Sequence, residues 1–257
     1  MENKRIIALC GKGGVGKTAI TSMILSLLST DKDFGKVLVI DADPAQGLTY
    51  AIDAKIESTM GKVRDELIHK AKSTDKNDLV DFTNSLDYLL YESLYECENF
   101  SLLAMGRSEE KGCFCPVNDL LQQAISKLSG EFDTILIDGE AGLEQINRQI
   151  VKKLNNVLII SDASVRGFET IKQIKSMVTG DAKVVECQRY GVIFNRVSDQ
   201  HRTTLKFKLA DINVDLVGVI PQDSSVAEFD FCGKSLLALP ADSEALASLK
   251  SVIQYLR

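Results

Sequence analysis

The stretch Cys10-Gly11-Lys12-Gly13-Gly14-Val15-Gly16-Lys17-Thr18 decides the fold of this chain. From Gly11 onward it follows the phosphate-binding pattern GxxxxGK[ST]. The apolar run Ile6–Leu9 precedes the loop and indicates a strand, and the stretch Ala19–Leu28 after it has the character of a helix. Strand, glycine loop and helix in this order are the context that the motif requires. The sequence therefore predicts a P-loop, the phosphate-binding turn of an α/β protein.

Each residue type in the loop suits the binding of a triphosphate. Glycines let successive backbone N–H groups turn toward the phosphates, and the N-terminus of the next helix adds partial positive charge. Lys17 can reach the β- and γ-phosphate oxygens, and the Thr18 hydroxyl can bind Mg²⁺. The nucleotide-binding residues expected here are Gly11, Lys12, Gly13, Gly14, Val15, Gly16, Lys17, Thr18 and Ala19.

A second lysine, Lys12, directly follows the first glycine of the loop. The form KGGVGKT resembles the deviant P-loop ATPases, a family that includes MinD, ParA, the arsenite-pump ATPase and the nitrogenase iron protein. The resemblance implies ATP hydrolysis to ADP by a homodimer in which Lys12 reaches the partner's nucleotide. Lys12 and Lys17 are therefore expected to be catalytic. A solvated surface lysine is the alternative for Lys12.

The bulk properties favour one soluble domain over residues 1–257. The net charge is −6 and there is no lysine- or arginine-rich block, which argues against nucleic acid as a partner. No apolar run approaches the length of a membrane span, and no signal-peptide core follows Met1. The segment Asp242–Arg257 has a helical pattern without the basic face of a membrane anchor. We expect a cytoplasmic protein with reduced cysteines.

Short apolar runs alternate with helical patterns along the chain, which predicts an α/β fold with a mostly parallel central sheet and helices on both faces. The segment from about Met60 to Tyr95 is polar and weakly helical, and we expect covering helices there. Beyond the first strand, the predicted strands are Val37–Ile40, Phe100–Ala104, Thr134–Ile137, Val157–Ile160, Val192–Phe194 and Leu216–Ile220.

Aspartates follow two of the predicted strands, at the edge where open α/β sheets bind ligands. Asp41 ends the second strand, and Asp138 follows Ile135–Ile137 in the Walker B form, which delivers a carboxylate to Mg²⁺. We expect Thr18, Asp41 and Asp138 around this ion, with Asp41 nearer its outer shell. The family resemblance places Asp43 in switch I as the catalytic residue that orients the attacking water. It also assigns Glu140-Ala141-Gly142 to switch II.

Two later strand ends resemble the adenine-holding loops of the same family. Asn195-Arg196 ends one strand, and Pro221-Gln222-Asp223 follows the next. An amide can pair with the adenine edge while a proline loop packs on its face. No guanine-specific NKxD motif occurs in the sequence, which favours ATP over GTP.

A second chemical feature, Cys113-Phe114-Cys115, lies in a loop at about residues 106–118. Two close thiols beside a helix N-terminus are expected to have lowered pKa values and to bind soft or borderline metals. A four-coordinate site needs two more ligands, which the two-fold axis of a dimer would supply. Two cysteines without a metal are the alternative. Cys10, Cys187 and Cys232 stand singly in apolar runs, and we expect them to be buried.

The surroundings of this motif make the resemblance more specific. The stretches Met105–Leu121, Ile137–Arg148 and Ile160–Ile174 resemble the CooC and AcsF ATPases, which assist nickel insertion into carbon monoxide dehydrogenase or acetyl-CoA synthase. The resemblance implies that Cys113 and Cys115 bind Ni²⁺, or Zn²⁺ in its place, between two subunits. It further implies that ATP or ADP with Mg²⁺ controls the dimer.

Two other functions remain open at this point. An iron–sulfur electron donor like the nitrogenase iron protein is one, although no cysteine occurs between Asp138 and Cys187 to supply that family's second cluster ligand. A MinD- or ParA-like positioning ATPase is the other, and the acidic balance without a basic tail argues against it.

Overall fold

A single eight-stranded sheet forms the centre of the protein. The structure, a computed structural model, describes residues 4–73, 86, 88–109, 115–144, 146, 150, 151, 153–180 and 183–257, without the side chains of residues 70–73, 115, 116 and 199. The strands are β1 Arg5–Cys10, β2 Val37–Asp41, β3 Leu94–Glu96, β4 Phe100–Ala104, β5 Thr134–Asp138, β6 Lys153–Ser161, β7 Glu186–Asn195 and β8 Asp215–Ile220. Their order is β3-β4-β2-β5-β1-β6-β7-β8, and all neighbours are parallel except β3 and β4.

Helices lie between parallel strands along the chain, because a parallel pair needs a long crossover connection. We number them α1 Lys17–Leu28, α2 Gly47–Ala51, α3 Met60–Ser73, α4 Cys115–Ser129, α5 Val165–Thr179, α6 Arg202–Ala210, α7 Ser224–Phe231, α8 Glu244–Ser248 and α9 Lys250–Leu256. Short 3₁₀ turns occur at Lys32–Phe34, Asp199–His201 and Leu236–Ala238. None of the helices in the described part of the chain combines the length and the apolar character of a membrane span.

The core has two halves, one on each face of the sheet. Because side chains alternate along a strand, Ile7 and Leu9 of β1 face one half while Ala8 and Cys10 face the other. Helices α1, α8 and α9 cover the first half, and α3, α4, α5 and α6 cover the second. The prediction of a mostly parallel sheet with helices on both faces is confirmed.

Several element boundaries differ from the sequence patterns. Leu94 and Tyr95 lie within the segment for which we expect helices, but they belong to β3, Leu94–Glu96, an antiparallel edge strand against β4. Strands β6 and β7 begin earlier than their apolar runs because their first residues lie near the sheet margin and are partly exposed. The C-terminal helical segment divides at Leu249 into α8 and α9.

The strand register places the polar strand ends together. Asp41 of β2 is the direct partner of Asp138 of β5, and Leu9 of β1 is the partner of Asp138 on the other side. Asn195 at the end of β7 pairs with Ile220 at the end of β8. The carboxyl edge of the sheet therefore carries the loop, the two aspartates and the later polar turns.

Candidate functional site

Two glycines fix the path of the loop between β1 and α1. Gly11 has φ +145° and Gly16 has φ +88°, both in the region that residues with a side chain rarely adopt. A Cβ on Gly11 would lie 2.1 Å from the carbonyl oxygen of Ile160 in β6, and one on Gly16 would lie 2.4 Å from Nδ2 of Asn195. The loop is therefore held closely against the ends of β6 and β7.

The N-terminus of α1 is open to an anion. Gly16 is the N-cap and offers no capping side chain, and the first turn carries no acidic residue. A Cβ on Gly13 or Gly14 would meet no atom of the described residues within 4 Å, so the loop has space beside it there. Free N–H groups and the positive end of the helix dipole favour a phosphate at this position.

The Lys17 side chain folds over the loop. Its ammonium donates to the carbonyl oxygens of Gly11 and Lys12, at 3.0 Å and 3.3 Å. This contact keeps one positive charge against the loop backbone. The arrangement is suited to the oxygens of a bound phosphate.

Asp138 receives hydrogen bonds from two hydroxyl groups of α1. The Thr18 hydroxyl donates to Oδ2 at 2.9 Å, and the Thr21 hydroxyl donates to Oδ1 at 2.7 Å. Asp138 is 1% exposed and Thr21 is fully buried. The sequence interpretation missed Thr21, although its position three residues after Thr18 places both hydroxyls on one face of the helix.

Asp41 is the second buried carboxylate at this edge. Its Oδ2 accepts the N–H and the hydroxyl of Thr49 from α2, each at 3.1 Å, and its Oδ1 accepts the N–H of Asp43 at 3.2 Å. The sequence interpretation also missed Thr49, because nothing in its local pattern indicates a contact with Asp41, eight residues earlier. Asp43 itself is partly exposed, and its Oδ1 accepts the N–H of Ala45 at 2.9 Å.

Burial sets the electrostatics of the two carboxylates. It raises the pKa of Asp138 from 3.8 to about 6, a shift that the charge of Asp41 reinforces and that the bonds from Thr21 and Thr18 oppose. Burial also raises the pKa of Asp41 against the bonds from Thr49. A hard cation favours oxygen ligands and would relieve this repulsion. Thr18, Asp41 and Asp138 therefore fit a Mg²⁺ site.

Lys12 points toward the loop after β6. Its ammonium lies 3.8 Å from Oδ2 of Asp162, and the two side chains are 38% and 43% exposed. The hydroxyl of Ser164 holds the pKa of Asp162 below its usual value, with a smaller contribution from Lys12. A half-exposed ion pair of this kind contributes at most about 1 kcal/mol, so Lys12 can leave it readily.

The ends of β7 and β8 border a cavity of about 410 Å³ beside α1. Arg196, Pro221, Gln222 and Asp223 line it together with Asn195, Ala19 and Met23. The amide of Asn195 is already engaged, since its Nδ2 donates to the carbonyl of Val15 at 2.8 Å. The two turns predicted to hold a base therefore meet, with Asn195 tied to the P-loop.

The structure describes the side chains of the single cysteines but not those of the Cys113–Cys115 pair. Cys113 lies outside the described residues, as does the side chain of Cys115, whose backbone begins α4. Cys10 is buried as expected, and burial raises its pKa to about 12. Cys187 is half-buried, with a pKa raised by burial to about 11. The expectation for Cys232 is wrong, because this residue is exposed at the end of α7.

Among the described residues, no cluster of three histidine, cysteine or acidic side chains could hold a metal ion. Cys97 is exposed, and no disulfide links the cysteines within the described part of the chain. The predicted metal pair, Cys113 and Cys115, is not tested by this finding.

Comparisons with known proteins agree with this geometry. An uncharacterized ATP-binding protein of Methanocaldococcus jannaschii is 34% identical over 252 residues, which cover 97% of this chain and 97% of that relative. The carbon monoxide dehydrogenase accessory protein CooC of Rhodospirillum rubrum is 28% identical over 240 residues, covering 89% of this chain and 88% of CooC.

Solved structures share the architecture. The septum site-determining protein MinD of Pyrococcus horikoshii OT3, complexed with Mg-ADP, superposes with a TM-score of 0.67 at 20% identity, covering 98% of this chain and 95% of MinD. At that identity the likeness establishes the fold alone. The family profile of the CobQ/CobB/MinD/ParA nucleotide binding domain, CbiA, matches residues 6–236. This chain therefore belongs to the CobQ/CobB/MinD/ParA family of nucleotide-binding domains.

Proposed function

We propose that this protein is an ATP-hydrolysing metallochaperone that carries nickel on a cysteine pair shared by two subunits. The observation that carries the proposal is that the strand preceding this pair in the sequence ends beside the nucleotide site. The segment with Cys113 and Cys115 follows β4, and the end of β4 is bound to the end of β2: Met105 N–H donates to the carbonyl of Asp41 at 2.8 Å. Met105, eight residues before Cys113 in the sequence, therefore lies beside Asp41, one of the carboxylates that we propose for Mg²⁺.

The nucleotide half of the proposal uses the residues at the carboxyl edge. The P-loop N–H groups and Lys17 bind the phosphates, and Thr18, Asp138 and Asp41 bind Mg²⁺. Asp43 orients the attacking water, and Lys12 leaves Asp162 to contact the nucleotide of the partner subunit. The cavity between the ends of β7 and β8 holds the adenine, with Arg196 and Pro221 at its faces.

The metal half uses thiolates from both subunits. Cys113 and Cys115 supply two ligands, and the same residues of the second copy complete four-coordinate binding of Ni²⁺ or Zn²⁺. ATP favours one arrangement of the dimer only to the extent that it binds that arrangement more tightly. Similarity to CooC supports carbon monoxide dehydrogenase as the client, with acetyl-CoA synthase as the other candidate.

The test is an anaerobic Ni²⁺ titration of the double variant Cys113→Ala with Cys115→Ala. We expect loss of Ni²⁺ binding, while ADP affinity stays at the wild-type value because the nucleotide site is intact. The matched control is Cys97→Ala with Cys232→Ala, which removes two exposed thiols and should bind Ni²⁺ normally. Unchanged Ni²⁺ stoichiometry in the first variant would exclude the cysteine pair as the carrier.

A further inference from the structure

Two buried threonines hold the carboxylates at the carboxyl edge of the sheet. Thr21 of α1 is fully buried, and Thr49 of α2 is 3% exposed. The Thr21 hydroxyl lies 2.7 Å from Oδ1 of Asp138, and the Thr49 hydroxyl lies 3.1 Å from Oδ2 of Asp41. Each threonine belongs to a helix and each aspartate ends a strand, so these bonds join separate elements at the site. We call Thr21 and Thr49 the threonine pair.

The two carboxylates are neighbours of like charge, which makes their orientation sensitive to the bonds that they accept. Asp41 and Asp138 are register partners on adjacent parallel strands, and residues in register point to the same face of the sheet. Both are buried, so little water screens their repulsion. The last torsion of an aspartate side chain has a broad energy minimum. In the absence of donors, repulsion would therefore turn the two carboxylates away from each other.

Thr21 restricts the rotation of the Asp138 carboxylate. Thr18 donates to Oδ2 of this carboxylate and Thr21 donates to Oδ1, so a rotation would break both bonds together. Oδ2 therefore stays on the side of Thr18, whose hydroxyl we expect to bind Mg²⁺. The Thr21 hydroxyl also lies 3.0 Å from the carbonyl oxygen of Lys17, but the Asp138 oxygen is the nearer acceptor.

Thr49 restricts Asp41 in the same way and brings α2 to the site. Its N–H and its hydroxyl both donate to Oδ2 of Asp41, while Oδ1 accepts the N–H of Asp43. At the start of α2, a Cβ on Gly47 would lie 3.5 Å from Oγ1 of Thr18. Helix α2 therefore packs beside the threonine of the P-loop and, through Thr49, binds the carboxylate of β2.

We propose that Thr21 and Thr49 are positioning residues for Mg²⁺, which hold Asp138 and Asp41 in the orientation that binding of the ion requires. This role rests on the nucleotide half of the function proposed above and is independent of its nickel half. Hydrogen-bond partners of metal ligands typically change metal affinity by about 10–100-fold when they are substituted. The reason is that they fix the ligands before the ion binds.

The experiment measures the ADP affinity of the full-length protein by calorimetry over a range of Mg²⁺ concentrations. Thr21→Val and Thr49→Val keep the shape of the side chain and remove its hydroxyl. We expect either change to raise the Mg²⁺ concentration of half-maximal effect by about tenfold or more. ADP affinity without Mg²⁺ should equal the wild-type value, because the P-loop is intact. Thr21→Ser and Thr49→Ser keep the hydroxyl and should stay close to the wild type.

A matched control separates positioning from a general loss of packing. Ser22 is a fully buried residue of α1 whose hydroxyl donates to the backbone carbonyl of Thr18 instead of to a carboxylate. Ser22→Ala should leave the Mg²⁺ dependence unchanged. Thermal unfolding without Mg²⁺ and nucleotide reports the stability of each variant. A purely structural role would lower the stability of Thr21→Val and Ser22→Ala alike and leave the Mg²⁺ requirement of both at the wild-type value.

A second variant covers poor folding of the first. Thr49→Val retains the backbone N–H that donates to Asp41, so it tests the role even if Thr21→Val does not fold. An unchanged or lowered Mg²⁺ requirement in the folded valine variants would contradict the positioning role. So would serine variants that bind Mg²⁺ as weakly as the valine variants.

Failure of the proposed function gives a different result. In that case Mg²⁺ would leave the ADP affinity of the parent protein unchanged, and the role of the threonine pair would fail with the Mg²⁺ site. A parent protein that responds to Mg²⁺, with valine variants that respond equally, would remove only the threonine pair.

Discussion

At the scale of single residues, Asp138 is a carboxyl group whose burial opposes its ionisation. Its pKa is raised to about 6 in the folded protein, so the folded state holds the proton more tightly than the unfolded chain does. Between about pH 4 and pH 6 the folded state therefore binds more protons, and stability falls as the pH rises. The full destabilisation, on the order of 3 kcal/mol, is present above this window.

The check is chemical denaturation across this pH range in the absence of Mg²⁺ and nucleotide. Asp138→Asn cannot ionise, so its free energy of unfolding should decline less between about pH 4 and pH 6 than that of the wild type. Adding Mg²⁺ with ADP to the wild type should likewise flatten the curve, because a bound cation stabilises the ionised carboxylate. Parallel curves for wild type and variant would show that Asp138 is not the group responsible.

Asp43 should separate nucleotide binding from hydrolysis. Its side chain is partly exposed at the carboxyl edge and takes no part in the buried bonds between Asp41 and Thr49. We expect Asp43→Ala to bind ATP with near-normal affinity and to lose turnover by about 100-fold or more, as removal of a water-orienting base does. Phosphate release and ATP binding are the two measurements. Normal hydrolysis would remove Asp43 from the catalytic residues.

Two glycines of the same loop should respond differently to alanine. Gly16→Ala forces a side chain into a left-handed conformation and against Asn195, which should lower the free energy of unfolding by about 1–3 kcal/mol. Gly13 has no positive φ and open space around it, so Gly13→Ala should change stability little. Thermal unfolding without nucleotide compares them. Equal losses of stability in the two variants would mean that the loop is not held against β7.

At the scale of elements, Asp223 joins α7 to α8. Its Oδ1 accepts the N–H of Ser225 at 2.8 Å, while Oδ2 accepts the Ser243 hydroxyl at 2.7 Å and the Ala245 N–H at 3.0 Å. Burial opposes ionisation, but these bonds outweigh it and hold the pKa of Asp223 below its usual value. The stabilisation is therefore complete at neutral pH and is lost only as the pH falls through the lowered pKa.

Asp223 caps α7 and also lines the cavity at the ends of β7 and β8, so its substitution should affect that cavity indirectly. Asp223→Ala should lower the free energy of unfolding by about 1–2 kcal/mol through loss of the N-cap, and should weaken ADP binding because the turn after β8 is released. Asp223→Asn keeps one acceptor oxygen, so its free energy of unfolding should fall less than that of Asp223→Ala. Thermal unfolding and ADP titration are run together. Weaker ADP binding at unchanged stability would indicate direct contact with the nucleotide rather than a cap.

The elements also show what sequence patterns can and cannot predict. Apolar runs that end in aspartate correctly placed Asp41 and Asp138 at the carboxyl edge, because burial forces such runs into a parallel sheet. The strand β3 is too short for a periodic pattern, and its pairing with β4 depends on tertiary contact. The bond from Asn195 to Val15 spans 180 residues of sequence, so no local pattern could indicate it.

At the scale of the whole molecule, the strand order places the end of β4 next to the candidate nucleotide site. The end of β2 carries Asp41 and leads to Asp43, and the N–H of Met105, directly after β4, donates to the carbonyl of Asp41. Under the proposed function, a change at the nucleotide would therefore reach the chain that precedes the cysteine pair through neighbouring strands. Ni²⁺ binding measured with and without ATP gives the coupling free energy between the two ligands.

The most direct test of the central claim is the solution mass of the protein under anaerobic conditions, measured while Ni²⁺ is titrated with and without ATP. The account predicts one Ni²⁺ per two chains, formation of a dimer on binding, and loss of both in the double variant Cys113→Ala with Cys115→Ala. A protein that stays monomeric with Ni²⁺ and ATP, or that binds Ni²⁺ equally well without these thiols, would contradict it.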